Sequence, residues 1–595
     1  MGLMQRAVET YDSNEKLIGI YKEGQEPLAP IGHVLTNANI EITLNREGEF
    51  VDARMVEKAE PKILIPVTEE SNGRTSAPAA HPLCDQLKYV STLKQKEHAL
   101  YVEGLQEWEE SSFSHPFLKS VLTYVSKGSV ITDLEKQGVI SANDEKNSEK
   151  YLVCWRIIGF ENEDPACWKN RSLQTAYVQY YLNKISDREK DVCMVEGTWT
   201  TPAVQHPKGI VSINGNAKLI SANDSSGFTY RGRFSEDGEA ASVGYVASQK
   251  AHNALRWLAS EQGVREAVGN RVFLFWSPQG ITIPKPVSGL RVRDAEPIRL
   301  PSDYRDNLKR ILYSLKDKES IKGNEVAVIT AFDAATTGRL AVTYYNEVSV
   351  DAFFNRMAEW DSYCCWYRGK FGIQSPSLMQ IVNGAFGVQR GRFLETDDRV
   401  ARQHLQRLLS CKIGGGLIPA DIVSALVERA STPLAFDPAL WRSIVFTACS
   451  AIQKYHHDLN KGGDEMFWDL SKQDRSFQFG RLLAVMEQAE ADYYYNSQED
   501  RQTNAIKFMS EYRQRPWFVF ERINRQLHQA YLPRIKSWQA KRYEKLVGEI
   551  CGILSKEPEE DLNKALNDNY LMGYELQRNE FFKKQSQENE TEETK

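Results

Sequence analysis

The sequence predicts an α+β protein: a mixed α/β N-terminal half followed by an all-helical C-terminal domain. Three features carry that reading. Before about residue 348, short runs of β-branched and aromatic residues are punctuated by Gly, Pro and Asn. After it, apolar residues recur at helical spacing almost throughout. A length of 595 residues with 41% hydrophobic content supplies more than one core.

In chain order, 40–44 and 62–67 read as strands, and 71–78 as the loop that follows. Residues 83–125 form a helical stretch. Further strands are expected at 209–213, 218–221 and 271–276. A helix over 242–260 falls between them, placing Ala247, Ala251, Ala254, Leu255 and Leu258 on one face. Residues 325–332 and 339–345 form a strand pair around the loop 333–338. Helices then occupy 397–411, 419–430, 438–457, 477–496, 501–513 and 516–554. Pro419, Pro438 and Pro516 sit near first turns, where a missing N–H costs nothing. No repeat of solenoid period occurs.

No stretch approaches the roughly 20 continuous apolar residues of a membrane helix, and Met1–Arg6 lacks an apolar signal segment, so a cytoplasmic protein without membrane contact is expected. Nine cysteines without any Cys-x-x-Cys pair give neither a disulfide framework nor a zinc ribbon; they read as reduced, packed thiols. The net charge of -6 is unevenly spread. Between Arg501 and Lys545 eleven Lys or Arg face three Asp or Glu, whereas the segment from about residue 586 is acidic, too polar to bury, and expected to be disordered.

The common enzyme signatures are missing. The glycines of 412–418 lack the Gly-x-x-x-x-Gly-Lys-Ser/Thr pattern that converges amides and a lysine on phosphate, and read as a turn. No Gly-x-Gly-x-x-Gly follows a strand, and neither a Gly-x-Ser-x-Gly elbow nor a His-Glu-x-x-His helix occurs. His456, His457 and Asp458, with Asp464, Glu465 and Asp469 after them, keep one catalytic alternative open: a His-Asp metal-dependent phosphohydrolase or nuclease. The competing reading places the histidines at the negative end of a helix dipole. No cofactor and no metal are expected.

Nucleic-acid contact has more candidates. From Arg501 onward basic and aromatic residues interleave; Arg513, Arg515, Arg522 and Arg525 can form a cationic face over an aromatic core. Arg231 and Arg233, and then Arg291 and Arg293, fall in expected loops of the first half. Asn72 and Arg74 flank Gly73 in another; both residue types read base edges, and the plain alternative is an ordinary turn.

Several segments, in order and over most of the chain, resemble one family. They are 209–214 (GIVSIN), 221–234 (SANDSSGFTYRGRF), 247–257 (ASQKAHNALRW), 273–276 (FLFW), 333–345 (DAATTGRLAVTYY), 479–487 (FGRLLAVME) and 570–578 (YLMGYELQR). Together they are similar to the large subunit of the type I-C CRISPR Cascade. That resemblance implies a non-catalytic subunit that recognises the protospacer-adjacent motif on duplex DNA, helps open the strands and recruits the helicase-nuclease. Its partners would be the crRNA, the target duplex DNA, and the backbone, crRNA-processing and small subunits. It further implies a motif-recognition and DNA-contact region at 1–348, a helical region at 349–485 and a small-subunit-like bundle at 486–595. In the family that last portion is often also made from an internal start, for which Met486 and then Met509 are the candidates. Asn72 and Arg74 would face the motif duplex, and Arg231 with Arg233 its phosphates.

Overall fold

The computed structural model describes all residues except 75–76, 142–144, 214, 222–233, 235–236, 262, 290–296, 319–320, 322, 335, 337, 461–468, 471–473 and 594–595. The chain divides into two compact units, Met1–Ile283 with Asn324–Ser349, and Pro284–Gly323 with Val350–Lys595. Pro284–Gly323 therefore belongs with the second unit although it precedes the change of pattern near residue 348. The α+β class holds: sheets populate the first half and helices dominate after Val350.

The first unit opens with α1 (Leu3–Ser13), β1 (His33–Thr36), β2 (Ile40–Leu44), β3 (Phe50–Met55) and β4 (Ile63–Pro66). There follow α2 (Glu69–Gly73), α3 (Gln95–Glu109), α4 (Pro116–Ser126), β5 (Val153–Ile157) and α5 (Arg171–Lys184). β2 lies at the centre of a three-stranded sheet, antiparallel to β3 and parallel to β5, with Ile42 opposite Trp155. β2 alternates: Ile40, Ile42 and Leu44 enter the core from one face, while Glu41 on the other is buried against Arg54 and Arg156. Trp108 of α3, Phe117 and Val121 of α4 and Tyr177 of α5 complete that core. A second core packs α6 (Tyr245–Ser260) against an antiparallel sheet of order β9-β8-β7-β6, made from β6 (Arg265–Val268), β7 (Arg271–Trp276), β8 (Val326–Asp333) and β9 (Ala341–Ser349). Ala247, Ala251 and Ala254 of α6 are small enough to admit Ala7, Val8 and Tyr11 of α1 into the same core.

Two expected strands do not form. Residues 209–213 and 218–221 are joined only by a Lys208–Lys218 bridge and a Gly209 N–H donated to the Ala217 carbonyl at 3.1 Å. Gly209 sits at φ +77°, which takes the chain out of extended geometry, and Lys218 also bridges Arg339.

The second unit contains α7 (Pro301–Lys318), α8 (Val350–Tyr363), α9 (Leu378–Phe386), the hairpin β10 (Val388–Arg390) and β11 (Phe393–Glu395), α10 (Asp398–Gly414) and α11 (Ala420–Ala430). α12 (Pro438–Asn460), α13 (Arg475–Ser497), α14 (Pro516–Gln526), α15 (Ser537–Leu554) and α16 (Asn569–Glu593) follow. The glycine turn is real: Gly415, at φ +74°, ends α10 in the left-handed conformation. The helix expected over 516–554 is broken. Pro533 has no N–H and its ring clashes with the preceding turn, so α14 passes through the irregular turns Leu527–Tyr531 and Leu532–Arg534 before α15 starts. The backbone of α16 stays helical to Glu593, through the acidic segment for which composition predicts disorder. All nine cysteines are free thiols, seven of them buried.

α13 and α16 cross at glycines. A Cβ at Gly480 would lie 1.8 Å from the Tyr570 carbonyl oxygen, and one at Gly573 would lie 2.0 Å from that of Phe477. Met486 is in the middle of α13 and inaccessible to solvent. A start there deletes Phe477 and Gly480, against which α16 packs, and a start at Met509 deletes α13 entirely.

Four imidazoles in the first unit are held neutral by burial. It pulls His33, His81 and His206 down to about 4 and His252 to about 3. His33 sits edge-on against Tyr177 with Nδ1 3.0 Å from the Ile31 carbonyl, and His252 Nδ1 meets the Ser248 carbonyl at 2.7 Å.

Two outcomes are expected. Gly480→Ala or Gly573→Ala forces backbone apart at the α13–α16 crossing and lowers stability by about 3 kcal/mol or more, measured by urea unfolding of the second unit. For the histidines, the unfolded chain binds protons at pH 6.5 where the folded one does not. Stability is thus complete above that pH and falls as pH drops toward about 4, by up to about 3 kcal/mol each for His33 and His252. Hydrogen exchange in the first unit at pH 7, 6 and 5 reads the loss.

Candidate nucleic-acid interface

The turn after β4 is built by its own side chains. Thr68 Oγ1 accepts from the Ser71 N–H (3.0 Å) while Ser71 Oγ accepts from the Thr68 N–H (2.9 Å), closing a reciprocal cap on α2. The buried Glu69 carboxylate then accepts from the Val204 and Gln205 N–H groups at 2.7 and 3.0 Å and pairs with Arg188. So fastened, the turn delivers Asn72 and Arg74 to the wall of an open cleft of about 850 Å³ in the first unit.

Arg74 is anchored rather than loose. Its Nη1 and Nη2 donate to both oxygens of Asp85 at 2.8 and 2.6 Å, Nη1 also donates to the Ala79 carbonyl, and the guanidinium lies 4.6 Å from the Tyr89 ring centre. Asp85 has no solvent exposure, and it accepts two further bonds, from the N–H groups of His81 and Gln86 at 2.6 Å each. One buried carboxylate thus ties down three residues that line the cleft. Asn72 differs: among the described residues its side-chain amide makes no hydrogen bond, and it lines the cleft.

The cleft is cationic. Among the described residues Lys62, Arg74, Lys150, Lys208, Arg256 and Arg265 line it, against Glu26 and Glu261. Glu26 is taken by Lys62 at 2.6 Å. Among the described residues Lys150, Lys208 and Arg256 have no carboxylate in ion-pair contact. Arg256 donates instead to the Gly209 and Lys208 carbonyls and to Asn253 Oδ1, and burial lowers its guanidinium to about 10. Burial, then the field of Arg74, lowers Lys208; burial, then Lys208, lowers Lys218. Cations that depress one another in this way are relieved by an anion.

In the second unit, Arg515, Arg522 and Arg525 project from the solvent side of α14, at three- and seven-residue spacing with the half-exposed Phe518. Arg522 stacks on Phe508 at 4.2 Å. Arg513 instead pairs with Glu428. Arg515 and Arg525, and beyond them Arg534, Lys536 and Lys541, are exposed and make no ion pair among the described residues, and the half-exposed Trp538 lies between Lys536 and Lys541 in the chain. Arg231, Arg233, Arg291 and Arg293 lie outside the described residues.

The His-Asp segment does not converge. His456 Nε2 lies 3.1 Å from Asp568, and His457 stacks on Tyr363 at 3.5 Å. Asp458 receives Lys454 and the Ile418 N–H. Among the described residues no three metal-ligating side chains cluster, and Asp464 and Glu465 lie outside them.

Asp85, Lys150, Lys208 and Arg256 escape a reading of the sequence. They are scattered between positions 85 and 256, and no local pattern links them. The profile of the family described as CRISPR-associated protein (Cas_Csd1) matches residues 9–582. A comparison with curated proteins finds no match.

Asp85→Asn leaves the Arg74 charge buried and unpaired, so the first unit should lose about 3–5 kcal/mol, measured by denaturant unfolding. Arg74→Met on that background removes the stranded charge and should restore part of the loss.

Proposed function

Because the chain belongs to the CRISPR-associated Cas_Csd1 family, we propose that it is the non-catalytic large subunit of a type I-C RNA-guided surveillance complex, reading the protospacer-adjacent motif on duplex DNA. The observation that carries this is the cleft of the first unit, where among the described residues Lys150, Lys208 and Arg256 make no ion pair and the Asn72 amide no hydrogen bond. Phosphates satisfy the lysines and position the duplex; an amide presents a donor and an acceptor to a base edge. Arg74, held on two sides by Asp85, sets the turn that presents Asn72. The exposed arginines of α14 and the cations up to Lys541 extend nucleic-acid contact to the second unit, toward target DNA or crRNA.

In this reading the guide selects the sequence, and this subunit reads the short motif and the shape of the duplex. Strand opening begins at the cleft. Cutting falls to the recruited helicase-nuclease, and the backbone, crRNA-processing and small subunits complete the assembly. The separate engagements of His456, His457 and Asp458 support a role without hydrolysis of its own.

The assembled complex with Asn72→Ala should bind motif and non-motif duplexes more nearly alike, losing about 1–3 kcal/mol of discrimination. Lys150→Ala and Lys208→Ala should weaken binding to every duplex and shrink the salt slope by about one each. Filter binding across a salt series separates the two; if all three variants shift every duplex by the same factor, Asn72 does not read bases. Assays with manganese, magnesium or nickel on DNA and RNA should show no hydrolysis that His457→Ala removes.

A further inference from the structure

We infer that the hairpin β10–β11 is a single-stranded DNA contact in which Phe393 stacks on an unpaired base while Arg390 and Arg392 hold the flanking phosphates. The inference rests on the nucleic-acid role proposed above, at a site far in sequence from both the cleft residues and the arginines of α14.

The hairpin is tight and fixed. Arg390 and Phe393 face each other across a two-residue turn, Gly391-Arg392, with Gly391 at φ +59°, the left-handed value that the first position of a type II′ turn requires. Its inner side is bolted down. Gln389 Nε2 donates to Asp437 Oδ2 at 2.6 Å, and Gln389 Oε1 accepts from the Asp437 N–H at 3.0 Å. Arg429 donates to the Gly384 and Gly387 carbonyls just before β10, and Thr396 Oγ1 donates to Asn383 Oδ1 just after β11.

Its outer side is bare. The pairing register puts Val388, Arg390, Phe393 and Glu395 on one face, since Val388 opposes Glu395 and Arg390 opposes Phe393. Phe393 is 74% exposed and Val388 67%. An aromatic ring left in water on an anchored ribbon, with one arginine opposite it in the pairing register and another preceding it in the turn, has the composition of a base-stacking platform. Bases inside a duplex are already stacked on their neighbours, so a ring at a ribbon tip finds a partner only in an unpaired strand. Glu395, across the ribbon, lies 3.4 Å from Arg390 through one carboxylate oxygen. The strand opening proposed above supplies the unpaired DNA that such a platform would take.

The test uses the full chain with fluorescein-labelled oligothymidine, oligouridine and a motif-bearing duplex in polarisation titrations. Phe393→Ala should weaken oligothymidine binding by about 5- to 100-fold and leave duplex binding intact; Phe393→Trp should retain affinity and add a fluorescence signal that oligothymidine quenches. Arg390→Ala and Arg392→Ala should lessen the salt dependence for oligothymidine alone. The assignment fails if Phe393→Ala leaves oligothymidine affinity unchanged, which would return this apolar face to a protein partner, or if oligouridine binds more tightly than oligothymidine. Loss of duplex binding in Asn72, Lys150 or Lys208 variants bears on the cleft and does not move these readouts.

Discussion

A single buried carboxylate organises the surface on which the proposed activity depends. Asp85 is cut off from solvent and receives four hydrogen bonds, two from the Arg74 guanidinium and two from backbone N–H groups of its own loop. A carboxylate in that position is tolerated only because every bond is made and the charge is neutralised. The compensation has a geometric result: the end of α2, the loop at His81 and the start of the segment at Gln86 are locked to one point. Asn72, two residues from Arg74, inherits that rigidity without spending its own amide on it.

Around this point the electrostatics run against the chain as a whole. The protein carries a net charge of -6, yet among the described residues the cleft gathers six cationic side chains against two carboxylates, and the exposed Arg515, Arg522 and Arg525 make no ion pair. Acidic residues are spent elsewhere, on the terminal segment and on paired positions such as Glu41 between Arg54 and Arg156. A polyanion senses fields within about a Debye length, roughly 8 Å in physiological salt, so local sign governs what each surface attracts.

Much of the architecture was legible residue by residue. The helices of the second unit follow from apolar spacing and from prolines at first turns, and β7, β8, β9 and α6 follow from their own composition. Departures share one kind of cause. The long helix expected after Pro516 breaks at Pro533, and the strands expected at 209–213 and 218–221 give way to the left-handed Gly209 and a bridge to Arg339. In each case the apolar pattern was read correctly while one residue's backbone requirement, or a partner far along the chain, decided otherwise. The candidate site was legible only in part: Asn72 and Arg74 stand out as base-reading types in a loop, but sequence spacing offers no hint that Arg74 is bound to Asp85.

By itself, the order of residues determined the α+β class, the change of pattern near residue 348, the reduced state of the cysteines and the surplus of cations after Arg501, because each depends on composition or on spacing along one element. Tertiary structure alone decided that Pro284–Gly323 joins the second unit, that α13 and α16 meet at Gly480 and Gly573, and that Lys150, Lys208 and Arg256 converge on one cleft. Those outcomes depend on which distant surfaces fill one another's volume and which charges are brought together away from water, and neither close packing nor electrostatic proximity is encoded in the separation of residues along the chain.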